Sequence, residues 1–245
     1  MDVRLRDDVL DWDQAEDQLE RSGMALTPPL LSPDECADLI SGYDRDELFR
    51  STVVMARHAF GEGEYRYFRD PLIPVVQDLR THLYPPLARL ANRWAERLGE
   101  RGALGAPPGP GTAFPERLDE LLAVCAGAGQ HRPTPLLLSY GPGGYNCLHQ
   151  DVYGDITFPL QVAIMLSSPD VDFTGGESVF VEQRPRAQSR PVVARPRLGQ
   201  GVIFPVRDRP APGARGYKRV AMKHGVSTVL SGRRFVLGVI FHNAR

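Results

Sequence analysis

After residue 133 the hydrophobic pattern of the chain changes period, and no other feature limits the architecture as much. The runs TPLLLSY (134–140), LQVAIMLS (160–167), SVFVE (178–182), GVIFPV (201–206) and RFVLGVIFH (234–242) are short, apolar or alternating, and separated by Gly, Pro, Asp and Ser. Period-two alternation sends successive side chains to opposite faces of a strand. Because no helical stretch separates one run from the next, parallel βαβ units are excluded and a β-sandwich or jelly roll remains.

Upstream the period is helical. In LLSPDECADLISGY, Ser32 stands as N-cap, Pro33 at the first helical position and Glu35 as the reciprocal partner of a capping box, with Cys36, Leu39 and Ile40 on one face. Val75, Val76, Leu79 and Leu83 repeat the pattern after Pro71, and Pro85 and Pro86 are expected to break it. A further helix follows on Leu87, Leu90, Ala91, Trp94 and Leu98 and stops at Gly99; a short one spans Pro115 to Ala126. The Gly/Pro-rich stretch 99–114 reads as a flexible loop. The expected class is α+β: one domain over 1–245, with 1–130 a mainly helical support packed on a jelly-roll core at 131–245.

The net charge of −1 conceals a segregation. Residues 184–245 hold 14 basic side chains against Asp208 alone, whereas residues 1–130 hold 23 acidic and 14 basic ones. Such a basic quarter either steers an anionic partner or pairs with the acidic half. No apolar run approaches the roughly 20 residues of a membrane helix, and the acidic N-terminus lacks the apolar centre of a signal peptide, so a cytoplasmic location is expected. Cys36, Cys125 and Cys147 are odd in number and show no CxxC spacing, which argues against a disulfide framework or a thiolate zinc site.

The chemistry-bearing candidates are few. In the stretch HQD, His149 and Asp151 are one residue apart, so on extended backbone they share a face and can reach one metal ion. A third ligand must come from elsewhere, and His224 opens HGVSTVLSGRRFVLGVIF, two β-like segments joined at Ser231-Gly232 with an arginine at the start of the second. Two histidines and a carboxylate on one side of an ion leave positions open, the arrangement of non-haem iron(II) oxygenases. A 2-oxo acid would supply a bidentate group there, and its remote carboxylate needs a buried, planar cation. His58, His82 and His131 read as surface or packing residues, and His242 as an edge position.

The ordered set YGPGGYNCLHQD, FTGGESVFVE, GVIFPV and HGVSTVLSGRRFVLGVIF resembles the iron(II)/2-oxoglutarate-dependent dioxygenases, closest to their prolyl-hydroxylase-like branch, over residues 134–243. The resemblance implies that His149, Asp151 and His224 hold Fe(II), and that an arginine after the turn binds the distal carboxylate of 2-oxoglutarate. The family spacing selects Arg234; a turn shorter by one residue, as in some relatives, selects Arg233. Tyr140 is similar to the tyrosine that lines the co-substrate pocket, while Tyr145 has a place only in the Gly-rich turn. One departure is Met165, where the hypoxia-type enzymes carry a second tyrosine; Gln161 shares its face and is the substitute candidate for co-substrate binding.

With O2, the implied reaction hydroxylates a C–H bond and converts 2-oxoglutarate to succinate and carbon dioxide. On a carbon attached to nitrogen the product collapses to formaldehyde and the demethylated amine. FRSTVVMARHAFGEGEYRYFRDPL and EQRPRAQSRP resemble a bacterial group of this superfamily associated with alkylated DNA. Nucleic-acid demethylation and protein (prolyl-type) hydroxylation are the two leading expectations. Behind them stand a small-molecule hydroxylase and a non-catalytic jelly-roll binding or sensor protein.

Overall fold

The structure, a computed structural model, describes residues 10–99, 113–184, 187–214 and 216–245. Helix α1 (Trp12–Ser22) leads into strand β1 (Ala25–Pro29) and helix α2 (Pro33–Ser41), followed by β2 (Phe49–Val54), β3 (Gly61–Glu62), β4 (Glu64–Phe68), α3 (Pro74–Leu98) and α4 (Leu118–Gly127). The second half is strand after strand: β5 (Leu136–Tyr140), β6 (Tyr145–His149), β7 (Leu160–Met165), β8 (Phe173–Gly175), β9 (Ser178–Gln183) and β10 (Arg190–Ala194). It continues with β11 (Gln200–Pro205), β12 (Asp208–Gly213), β13 (Gly216–Val226), β14 (Val229–Gly232) and β15 (Arg234–Ile240).

The strands form a jelly roll. A seven-stranded sheet runs β1-β11-β7-β15-β5-β4-β2; facing it is a second sheet, β10-β9-β13-β6-β3, with β12 added on β13. The central strands of the larger sheet read as near-continuous apolar runs because both their faces are covered. Phe235, Leu237 and Val239 of β15, with Leu160, Val162 and Ile164 of β7, join the core beneath α3. Their alternates Val236 and Met165 belong to a second cluster with Tyr140, Phe173 and Val229 on the opposite face. That second face looks between the sheets, and there the site is built.

Helix predominates in residues 10–99, with α3 the longest element, but the region also supplies strands the sequence did not announce: β1, β2 and β4 extend the larger sheet and β3 borders the smaller one. Their pattern was masked by prolines in β1 (ALTPP) and by charges in β4 (EYRYF). One expectation is corrected: Pro85 and Pro86 do not end a helix, and α3 runs 25 residues through both. Each interior proline costs about 3 kcal/mol, but Leu83, Tyr84, Leu87, Leu90 and Trp94 around them are all buried. Burial of such side chains contributes about 1.5–3 kcal/mol each, which outweighs the breaks. Tyr84 fixes the helix on the core by ring contacts to Phe158 and Phe241 at 5.1 and 6.0 Å.

The capping box on α2 forms as read, with Ser32 Oγ accepting from Glu35 N (3.2 Å) and Glu35 Oε2 accepting from Ser32 N (2.8 Å). Gly99 caps α3 in the left-handed region; the rest of the expected loop, through residue 112, lies outside the described residues. Cys36 and Cys125 are buried small residues and Cys147 is exposed. No described helix is long and apolar enough to cross a membrane. Several basic side chains of the last quarter find acids within the second half: Arg184 and Arg209 pair with Glu182, Arg195 with Asp170, Arg207 and Arg219 with Asp208, and Arg245 with Asp155.

Candidate active site

Strand β6 ends at His149 and pairs with β13 so that His149 lies opposite His224. Asp151 follows where the chain leaves the sheet. Asp151 Oδ2 is 3.0 Å from His224 Nε2 and Asp151 Oδ1 is 3.5 Å from His149 Nε2. The imidazole centroids are 4.2 Å apart, and one ligand atom from each of the three residues lies within 4.8 Å of the others. An octahedral ion with donors at about 2.1 Å keeps neighbouring donors roughly 3 Å apart, so the spacing suits a single small cation.

The protonation states fit as well. His149 Nδ1 sits 2.7 Å from the Cys147 carbonyl. Nδ1 therefore carries the proton and the lone pair of Nε2 faces Asp151 and His224. Burial, then the neighbouring His224, lower the His149 pKa from its ordinary value, with Asp151 opposing. Burial of Asp151 works to raise its pKa, but His224, His149 and the Gln161 hydrogen bond together hold the carboxyl well below the usual carboxylate range. A neutral imidazole and an ionised carboxylate are the forms a divalent cation binds.

The carboxylate is also held from behind. Tyr153 Oη donates to Asp151 Oδ1 (2.8 Å) and Gln161 Nε2 donates to Asp151 Oδ2 (2.9 Å). Gln150 turns away and donates to the carbonyls of Met222 (2.8 Å) and Arg207 (3.3 Å), tying the end of β6 to its neighbours. Tyr153 was missed in the sequence. The signal was there, because Tyr153 continues the alternation of His149 and Asp151.

A cavity of about 390 Å³ opens over the three ligands, and Arg234 projects into it from the first position of β15. Its side chain is 2% exposed, yet among the described residues no carboxylate forms an ion pair with it. Nη2 donates to Ser178 Oγ (3.1 Å), the guanidinium lies over the rings of Tyr140 (5.4 Å) and Phe173 (6.0 Å), and Nε has no partner among the described residues. Burial lowers its pKa to about 10, with Tyr140 and Glu177 opposing. Gly176 makes room for it: a Cβ there would come within 2.9 Å of Arg234 Cδ, at a φ of +61° that side chains avoid. The FTGGES turn thus shapes the arginine's seat.

Arg233 faces the other way. It is exposed, donates to Ser139 Oγ (3.3 Å) and covers the rings of Phe235 and Tyr43. Tyr140, paired in register with Arg234 and fully buried, lines the cavity and accepts from Asn146 Nδ2 (3.3 Å). Gln161 lines the same cavity, but its hydrogen bond goes to Asp151. Met165 packs in the apolar cluster, and Tyr145 is exposed on β6. His58, His82 and His131 are exposed. His242 departs from the edge position expected: it is fully buried past the end of β15, and its Nδ1 accepts from Phe158 N (3.2 Å).

Solved structures share this architecture. An oxidoreductase of the 2OG-Fe(II) oxygenase family from Burkholderia pseudomallei matches with a TM-score of 0.52 at 17% identity, covering 96% of this chain and 94% of that one. A prolyl hydroxylase from Trichoplax adhaerens, solved with a hypoxia-inducible-factor peptide fragment, matches with a TM-score of 0.52 at 14% identity over 95% and 89%. The fold is therefore that of the 2-oxoglutarate-dependent iron oxygenases. Within that class the chain belongs to the family described as "oxygenase, catalysing oxidative methylation of damaged DNA", which matches residues 63–244. By its family the chain is an enzyme, an oxygenase. The uncharacterized proteins Rv2227 and MT2286 of two Mycobacterium tuberculosis strains are each 46% identical to it over 177 residues, 72% of either chain.

Proposed function

We propose that His149, Asp151 and His224 hold iron(II), that Arg234 receives the distal carboxylate of 2-oxoglutarate, and that the enzyme oxidises alkylated bases of nucleic acid. The observation that carries the co-substrate assignment is the buried guanidinium of Arg234, which has no carboxylate partner among the described residues and shares a cavity with the three ligand atoms. A buried cation without a counter-ion is unfavourable until an anion arrives, and a fixed guanidinium matches a carboxylate with two parallel hydrogen bonds. Bound iron(II), with 2-oxoglutarate and dioxygen, supplies the oxidising power that hydroxylates a substrate C–H bond.

The chain's own residues do the rest. Ser178 and the ring of Tyr140 fix the direction of Arg234, and with it the end of the cavity where a dicarboxylate lies. Tyr153 and Gln161 hold the two oxygens of Asp151. Leu138, Val226, Val236 and Ile240 wall the cavity with apolar surface and keep water from the reacting centre. Support for the nucleic-acid substrate comes from the family description. Succinate release measured with N-methylated oligonucleotides and with peptide pools tests it. Stimulation by the oligonucleotides with formaldehyde formed is the expected result; stimulation by peptides alone would assign the enzyme to protein hydroxylation.

A further inference from the structure

The rim of the cavity carries an aromatic pair that the iron and co-substrate sites do not use. Phe60 lines the cavity yet is 47% exposed, and its ring is stacked on that of His58 at 5.3 Å and 25°. Its backbone is fixed by unusual means. Ala59 before it has a φ of 57°, and Gly61 after it has a φ of 136° at a point where a Cβ would lie 2.3 Å from the Tyr145 carbonyl oxygen. The Phe60 carbonyl accepts from Cys147 N (2.8 Å), two residues before His149. The strain in this turn lies at Ala59, a non-glycine residue in the left-handed region, and such strain gathers where a ligand is met. Leu148 and Tyr145 on the adjoining strand are exposed as well, and Arg57 lies exposed beside the pair.

We infer that the Phe60–His58 stack is a platform on which a nucleobase of the substrate strand lies as the alkylated base enters the cavity. The inference rests on the nucleic-acid reading and adds the surface that recognises the strand. A parallel pair of flat rings backed by His58 leaves one π face for a third, and every base has such a face whatever its sequence. The chemistry of the rim therefore fits a single strand or an extruded nucleotide.

The test compares wild type with Phe60→Ala, Phe60→Leu and Phe60→Trp, using single-stranded oligonucleotides with one N-methylated base and following succinate release at saturating 2-oxoglutarate. Truncation to Ala is expected to raise KM for the oligonucleotide about 5- to 150-fold, the span of one base–aromatic stack, with a smaller change in kcat. Leu, of similar bulk but not flat, should not rescue; Trp should. A fluorescent base analogue beside the lesion should be quenched by wild type and the Trp variant and not by the Ala variant. Unchanged iron(II) affinity and unfolding temperature show that the variants are folded. Wild-type KM in Phe60→Ala or Phe60→Leu would overturn the inference while the nucleic-acid reading stands. If wild type itself ignores every oligonucleotide, both fall.

Discussion

Replacing Arg234 by Met should separate what the residue does for the fold from what it does for the co-substrate. Met is unbranched and of similar reach, so it fits the channel that Gly176 leaves open. The depression of the guanidinium pKa to about 10 corresponds to roughly 3 kcal/mol of unfavourable charge burial in the ligand-free protein. Against that stand the hydrogen bond to Ser178 and the contact over Tyr140, about 1 kcal/mol each. The variant should thus be as stable as wild type or more so, by about 1 kcal/mol, which raises the midpoint of thermal unfolding by roughly 2–4 °C. With Mn(II) as a redox-quiet ion, 2-oxoglutarate at 100 times its Kd should stabilise wild type by about 2.7 kcal/mol, roughly 5–11 °C. The variant should show no such shift, because loss of one partner of a buried charge pair costs about 2–5 kcal/mol of binding. A destabilised variant that still responds to 2-oxoglutarate would refute the reasoning, since Arg234 would then be structural.

Other expectations follow from the same contacts. Tyr153→Phe keeps the ring and removes the donor to Asp151; iron(II) affinity should fall about 10- to 100-fold, as for other residues behind metal ligands, and isothermal titration reads it directly. Gln161→Leu should act the same way, with little change in KM for 2-oxoglutarate, because its hydrogen bond goes to the ligand. His242 is fully buried and its pKa is lowered to about 4, chiefly by burial and then by Arg80. Between pH 6.5 and 4 the unfolded chain takes up a proton that the folded one refuses. The contribution, roughly 3 kcal/mol, is therefore complete above pH 6.5 and lost as pH falls towards 4. Urea unfolding of His242→Gln should show a flatter pH dependence in that window, and an unaltered slope would contradict the assignment.

Much of the site was legible before the fold. The period of a strand put His149 and Asp151 on one face, the family resemblance made them candidate ligands with His224, and the family spacing selected Arg234, parity allowing only one of Arg233 and Arg234 to enter the site. Parity names a face but not a partner, which is why Gln161 appeared as a co-substrate residue and is found bonded to Asp151. Tyr153 escaped notice for want of a reason to extend the alternation past the ligand pair. The strands of the first half were hidden because they are short and contribute mostly at the flanks of the sheets, where prolines and charges are tolerated. The run through Pro85 and Pro86 was read by local propensity, whereas the packing of Tyr84 and its neighbours decided it.

The most direct test of the account is an anaerobic titration of iron(II) into the protein with 2-oxoglutarate present, followed by the visible charge-transfer absorption of an iron(II)–2-oxo acid chelate. One equivalent should bind and develop the band in wild type. His149→Ala, Asp151→Ala and His224→Ala should each abolish it, and Arg234→Met should shift it to far higher 2-oxoglutarate concentrations. No band in wild type, or a band of full intensity in the His224 variant, would contradict the central claim.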